Sequence, residues 1–368
     1  MKILLLDNSS LTPIDCFLFC ENKTGQFAAE LKRLGNKVTM FGQVVEKENT
    51  VHAFNLEENG IDVIGIKRKK NKVINYLLLY FLMIPRIIKA DFVYIFYPSA
   101  FKYVSVLCWL LRTPYGVYIR GEQGVQSQSS KWIYKKAFAI FTVTDYFTQM
   151  VNKISNKNTA QSIRPMIPLT EKDLVVDRSY IAKEHYTILF LGRVEADKGV
   201  EELLQAVKLL EQEKYSFTLN LVGNGGFLPK AKELVNQLDM ANIVSIKGAI
   251  LDPAQVRQLY LDADLYVLPT YHEGFPRTLY EAMVFGTPII TTFVGGIPGI
   301  MIDSYNCIKI KPKSVESIVD TVEYAINNYT ELAECAKNAS KTVAPIINSS
   351  RLSHAEYLNQ MLNTKDYL

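Results

Sequence analysis

Short apolar runs alternate with amphipathic stretches along the whole of this 368-residue chain, and the alternation restarts after a break near residue 165. Apolar runs of about four to six residues read as buried strands, and the stretches between them read as helices covering a parallel sheet. In the first half the strand runs are residues 2–6, 37–41, 62–66, 92–96, 115–119 and 140–143. In the second half they are 187–191, 218–222, 243–247, 265–268 and 288–292. Helices are expected at about 26–34, closed by Gly35 in the left-handed conformation, then at 200–212, 229–238, 256–261, from 277 onward, 315–328 and 331–338.

A chain of this length exceeds one comfortable core and suits two domains of about 150 to 180 residues each. The expected division is 1–165, a linker over 166–184, a second domain over 185–345, and a last segment 346–368. Pro165 and Pro168 mark the crossing as stiff and extended. The fold class is therefore α/β, two Rossmann-like doubly wound halves facing across a cleft. Ligands in such sheets lie beyond the carboxyl ends of the strands, so the loops after each strand are the ones to read.

Composition narrows the setting. With 48% hydrophobic and 21% charged residues the chain is an ordinary globular one. Its five cysteines are scattered without a repeated pair spacing, which argues against a disulfide framework and points to a reducing, cytoplasmic setting. The first apolar run is closed at Asp7 and reads as a strand, not a signal peptide. The apolar stretches 73–84 and 103–111 fall short of the roughly 20 residues that span a bilayer. Net charge is +4 overall, but residues 1–185 hold 25 basic and 16 acidic side chains, whereas 186–368 hold 16 and 21. No nucleic-acid motif accompanies the basic half.

The most specific segment is Tyr271-His272-Glu273-Gly274-Phe275-Pro276-Arg277-Thr278-Leu279-Tyr280-Glu281-Ala282-Met283, followed by Gly286-Thr287-Pro288. It leaves a strand, turns at Gly274 and enters a helix at Pro276, a favoured first-turn position for proline. The N–H groups of Arg277, Thr278 and Leu279 are then expected to point out of the helix start, where an anion, phosphate above all, is attracted. Glu273 and Glu281 flank that anion site, and a carboxylate beside a phosphate finds its partners among neutral hydroxyls, such as those of a sugar or a ribose. A second segment, Leu191-Gly192-Arg193 with Lys198-Gly199, ends another strand. Arg193 and Lys198 can grip a diphosphate there by fork and by point charge.

The seven-residue spacing of Glu273 and Glu281, set in Glu-Gly-Phe-Pro, Leu-Tyr-Glu-Ala-Met and Gly-Thr-Pro, resembles the signature of family 4 retaining glycosyltransferases, which have the GT-B fold. The resemblance implies that Glu273 contacts hydroxyls of the donor sugar and Glu281 the ribose of a nucleotide, UDP in the simplest case. It gives Arg193 and Lys198 the leaving diphosphate and lines the base with Ala249 and Ile250. It also implies a final helix that crosses back to the first domain. Gly192, Gly274, Phe275, Pro276, Arg277, Thr278 and Leu279 complete the donor site. Asp262-Ala263-Asp264 spells a metal-binding pair. It joins a helix to a strand, however, and two cations already offset the diphosphate, so neither metal nor cofactor is expected. The implied activity moves a sugar to a hydroxyl of a saccharide or lipid-linked acceptor, in bacterial surface polysaccharide synthesis.

The first half departs from the family. Its first loop carries the single glycine Gly25 where relatives have two. After the fifth strand run stands Arg120-Gly121-Glu122 where relatives have a histidine, so Arg120 and Glu122 are either substrate contacts or a structural loop pair. Gly295-Gly296-Ile297-Pro298 is followed by Gly299 where relatives often have glutamate. His272 adjoins the motif, whereas His52, His185 and His354 stand without one. The basic run 67–72 before the apolar stretch 73–84 is either an anionic-membrane contact or a solvated loop. The rival readings are a nucleotide-sugar epimerase on a similar fold and a catalytically silent nucleotide-binding module.

Overall fold

The computed structural model describes residues 1–7, 10–46, 52–97, 101–121, 124–213 and 215–364. The chain divides into two compact units, Met1–Ile167 joined by Arg351–Leu368, and Pro168–Ser350. The first unit runs β1 (Lys2–Leu6), β2 (Thr12–Ile14), β3 (Phe17–Cys20), α1 (Asn22–Arg33), β4 (Lys37–Val44), β5 (Phe54–Asn55), β6 (Asp62–Lys67), α2 (Lys72–Lys89), β7 (Phe92–Tyr97), α3 (Val104–Leu110), β8 (Tyr115–Ile119), α4 (Gln128–Lys136), β9 (Ala139–Thr142), α5 (Asp145–Ser155) and β10 (Ala160–Ser162). The second runs β11 (Tyr186–Leu191), α6 (Val200–Gln212), β12 (Phe217–Val222), α7 (Leu228–Gln237), β13 (Val244–Gly248), α8 (Pro253–Asp262), β14 (Leu265–Leu268), α9 (Arg277–Val284), β15 (Ile289–Thr292), β16 (Ile308–Ile310), α10 (Val315–Asn327) and α11 (Leu332–Ile347). The last helix, α12 (His354–Asn363), belongs to the first unit.

The first sheet has the order β10-β9-β8-β7-β1-β4-β6, every pair parallel. Strands β2, β3 and β5 form a small antiparallel sheet. In β1, Ile3 and Leu5 pack with Phe27, Leu31 and Leu358 of α1 and α12, whereas Leu4 and Leu6 pack with Leu79, Met83 and Ile87 of α2. A strand covered on both faces must be apolar on both, hence the unbroken runs in the sequence. The second sheet, β13-β12-β11-β14-β15-β16, is likewise parallel throughout.

Helix α1 begins four residues before its expected start. Its cap is Glu21, which accepts the Thr24 N–H at 3.1 Å; glutamate is not a usual cap, so the start carries no sequence signal. Gly25 is therefore not in a first loop. It lies buried in α1, where a side chain would meet the Phe54 ring at 2.2 Å, so its smallness serves packing.

The stretch 168–184, expected as part of a linker, is packed into the second unit. Val175 donates to the Val284 carbonyl at 2.9 Å, and the Arg178 guanidinium donates to the carbonyls of Tyr260, Ala263 and Phe285. Helix α11 also runs further than expected, through Pro345 to Ile347.

The first unit closes around His354. Its Nε2 lies 2.5 Å from the Tyr94 hydroxyl and its ring 4.4 Å from that of Phe27. Burial, aided by Arg120, pushes the imidazole down to about 3. The unfolded chain therefore takes up a proton below about pH 6.5 that the folded chain refuses, and stability falls as pH drops through that window. This group alone should cost about 2 kcal/mol between pH 7 and pH 5. Chemical denaturation of wild type and His354→Gln at both pH values should show a smaller pH loss in the variant; equal losses would contradict the assignment.

Candidate active site

In the second sheet the chain moves outward from β11 to β12 and β13, then returns to β14 on the other side of β11 and continues to β15 and β16. The switch point lies between β11 and β14, and ligands of such sheets usually bind there, at the strands' carboxyl ends. Two loops border it. Residues 192–199 follow β11 and carry Gly192, Arg193 and Lys198; residues 269–276 follow β14 and carry Glu273, Gly274, Phe275 and Pro276. Motifs separated by about eighty residues thus arrive at one place.

Lys198 is only 5% exposed. Its Nζ lies 2.5 Å from Glu273 Oε1, 3.0 Å from the His272 carbonyl and 3.5 Å from Asp197 Oδ2. Thr270 Oγ1 also donates to Glu273 Oε1, at 3.3 Å, and Thr292 Oγ1 holds the Thr270 carbonyl at 2.6 Å. The Glu273 backbone is fixed from below by Gly295. At a φ of +57°, a Cβ there would sit 1.8 Å from the Glu273 carbonyl oxygen, so the position has room for nothing larger than glycine. Gly296 donates to the Gly274 carbonyl at 2.7 Å. Arg193 is exposed and, among the described residues, makes no side-chain hydrogen bond or ion pair.

Helix α9 starts at Arg277 after Pro276, with no side chain capping its first turn, an arrangement that favours an anion. The Leu279 N–H, expected to point outward, instead donates to the Pro276 carbonyl at 3.1 Å, because the first turn is tight. Thr278 is held by the Tyr266 hydroxyl at 2.6 Å, and the Phe275 ring packs at a tilt against Tyr280 with ring centres 4.4 Å apart. Glu281 accepts from the Tyr260 hydroxyl at 3.0 Å. Tyr260 is fully buried, and burial, followed by the Glu281 charge, raises its phenol well above the usual value; it stays a donor at any working pH.

Ala249 and Ile250 follow β13, exposed and half-buried respectively. Their strand end adjoins the 223–226 loop through the Gly223 N–H, which donates to the Gly248 carbonyl at 2.8 Å. Arg120 belongs to the first unit, where Nη2 donates to buried Asp7 Oδ1 at 2.9 Å and the guanidinium lies over the Phe96 ring. Glu122 lies outside the described residues. Asp264 is 2% exposed; it accepts from Lys183 at 2.5 Å and from the Thr187 N–H at 2.8 Å, while Asp262 accepts from Gln258. Asp264 thus anchors the start of β11, whereas Asp262 stays on its own helix.

Tyr260, Tyr266, Arg178 and Asp7 carry no motif and are not singled out by the sequence. The only signal for them is an excess of buried aromatics and one acid closing the first strand.

Residues 172–342 match the family model described as glycosyl transferases group 1. That match lies within the second unit and covers less than half of the chain. Proteins similar to this chain include an uncharacterized glycosyltransferase of Methanocaldococcus jannaschii, 32% identical over 157 residues, 42% of this chain and 40% of that one. Another is the capsular polysaccharide biosynthesis glycosyltransferase CapM of Staphylococcus aureus, 26% identical over 193 residues, 50% of this chain and 47% of that one. The matches thus span less than half the length of these curated relatives. Among solved structures, Anabaena Alr3699/HepE in complex with UDP-glucose aligns over 100% of both chains with a TM-score of 0.69 at 17% identity. The lipopolysaccharide outer core galactosyltransferase WaaB aligns over 98% of both with a TM-score of 0.67 at 16% identity. The fold is GT-B.

Gly295→Ala should push the Glu273 loop out of position and cost on the order of 1–3 kcal/mol, the scale of local backbone strain. A calorimetric melt of the variant at wild-type temperature would contradict that geometry.

Proposed function

We propose that this chain is a metal-independent glycosyltransferase that moves a sugar from a nucleoside diphosphate donor, UDP-linked in the simplest case, to a saccharide hydroxyl with retention of configuration. The observation that carries this reading is the Lys198–Glu273 pair, 2.5 Å apart at the switch point of the second sheet, on the same border as Arg193 and the α9 start. Cations and a helix N-terminus suit a diphosphate, and carboxylates held beside them suit hydroxyls. The UDP and UDP-glucose complexes of the HepE structures and the capsule context of CapM support the choice of donor and of surface polysaccharide.

In this reading Glu281, aimed by Tyr260, holds the ribose. Glu273 holds sugar hydroxyls. As the bond from the anomeric carbon to the diphosphate oxygen breaks, its electron pair leaves with the diphosphate, and Arg193, Lys198 and the α9 start stabilise the growing negative charge. The acceptor hydroxyl attacks the same face and passes its proton to the departing diphosphate oxygen as the new glycosidic bond forms; no enzyme carboxylate serves as a nucleophile. The base lies along Ala249 and Ile250. The first unit, with Arg120 fixed by Asp7, takes the acceptor, a saccharide that is lipid-linked. The five cysteines are all free, in keeping with a cytoplasmic reaction.

Two measurements test this. Glu281→Ala should weaken calorimetric binding of the bare nucleoside diphosphate by about 1.5–3 kcal/mol, the range for hydrogen bonds to charged groups. Glu273→Gln should keep that binding or tighten it, because it releases Lys198 from a competing anion, and its loss should fall on turnover. Equal weakening by both would overturn the division of roles. Transfer should also persist in EDTA, and Asp264→Asn should lower the melting temperature while leaving that persistence intact. Activity abolished by EDTA and restored by Mn²⁺ would remove the diphosphate role from the two cations.

A further inference from the structure

Helix α2 is apolar on two opposite faces. Asn75, Leu79, Met83 and Ile87, spaced by four, form the buried stripe. On the far side Val73, Leu77, Phe81 and Ile88 are 67%, 67%, 71% and 62% exposed. Neighbouring α3 adds Trp109 and Leu110, each half or more exposed. A helix apolar all round is normally enclosed, and an apolar surface left open on a folded unit marks an interaction site.

Charge says what covers it. At the start of α2 and just ahead of it, Lys67, Arg68, Lys69, Lys70 and Lys72 line a groove of about 480 Å³. The acid in that groove, Glu46, is paired with Lys67 at 3.2 Å. The helix itself holds no acidic residue and ends in Arg86 and Lys89. A second copy of this surface brings basic against basic in either orientation, so self-association has no complement. An anionic bilayer supplies both missing partners, phosphate headgroups for the groove and an acyl boundary for the exposed stripe.

We propose that α2 and the basic groove at its start form a lipid-docking surface, with α2 lying flat in the plane of an anionic membrane. The helix is about 27 Å long. Among the described residues no helix is long and apolar enough to cross a membrane, so the mode is contact from one side. Trp109, amphipathic and exposed on α3, suits the headgroup boundary. This inference goes beyond the transfer reading, and its test uses neither donor nor acceptor, so the two stand or fall separately.

The experiment is sedimentation of the full chain with vesicles of phosphatidylcholine alone or of equimolar phosphatidylcholine and phosphatidylglycerol, with Trp fluorescence read in parallel. Wild type should bind the anionic vesicles and not the neutral ones, weaken as salt is raised, and shift its emission to the blue. Replacing Lys67, Arg68, Lys69 and Lys70 by glutamine should weaken binding by about a hundred-fold or more. Leu77→Gln with Phe81→Gln, at exposed positions that leave folding intact, should weaken it at least about ten-fold. Trp109→Phe should bind while losing the blue shift. Absence of binding to anionic vesicles at low salt, or equal binding to both compositions, would overturn the proposal. So would a lipid-free dimer that the Leu77/Phe81 double variant dissociates, which would assign the face to a second copy.

Discussion

An ammonium group almost sealed from water must have an anion beside it, since an unpaired buried charge costs several kcal/mol. Lys198 meets that demand with Glu273, and much of the second unit's geometry exists to keep the pair together. Thr292 holds Thr270, Thr270 holds Glu273, and Gly295 lets the loop sink far enough for the contact. In the proposed function a diphosphate arriving at Lys198 would compete with Glu273 for the same ammonium, and donor hydroxyls would offer Glu273 another set of partners. The two motifs would then act as one exchangeable contact.

Much of this architecture is legible from periodicity alone, because a parallel sheet covered on both faces forces continuous apolar runs and leaves the loops after them conspicuous. The 187–191, 218–222 and 265–268 runs are strands in the structure. The Glu273 to Glu281 segment is legible for the same reason, a strand, a glycine turn and a proline-started helix in sequence. What escapes is whatever depends on distant partners. Arg178 lies in a stretch with no periodicity, and its partners are main-chain carbonyls more than eighty positions away. Tyr260 reads as one more aromatic on a helix until its hydroxyl is seen on Glu281. Gly25 reads as a loop residue because glutamate caps α1.

The first half is where sequence leaves alternatives open, and geometry resolves them unevenly. Arg120 is tied to Asp7 and stacked on Phe96, so its orientation is fixed whatever it meets. The basic run before α2 is ambiguous in sequence because composition gives no direction to a helix face. The stripe of Asn75, Leu79, Met83 and Ile87 supplies that direction, and it turns the remaining apolar residues outward.

Helix α12 also sets the order in which the protein can be made. The cover it gives to Phe27 and Tyr94 comes from residues that leave the ribosome only after all of Pro168–Ser350. Until then one apolar face of the first sheet stays open, while the second unit, continuous in the chain, can finish folding as soon as its own residues emerge. During synthesis the second unit therefore completes first and the first unit last. A nascent chain stalled before Arg351 would carry one finished unit and one with an exposed aromatic surface, a natural target for chaperones and proteases.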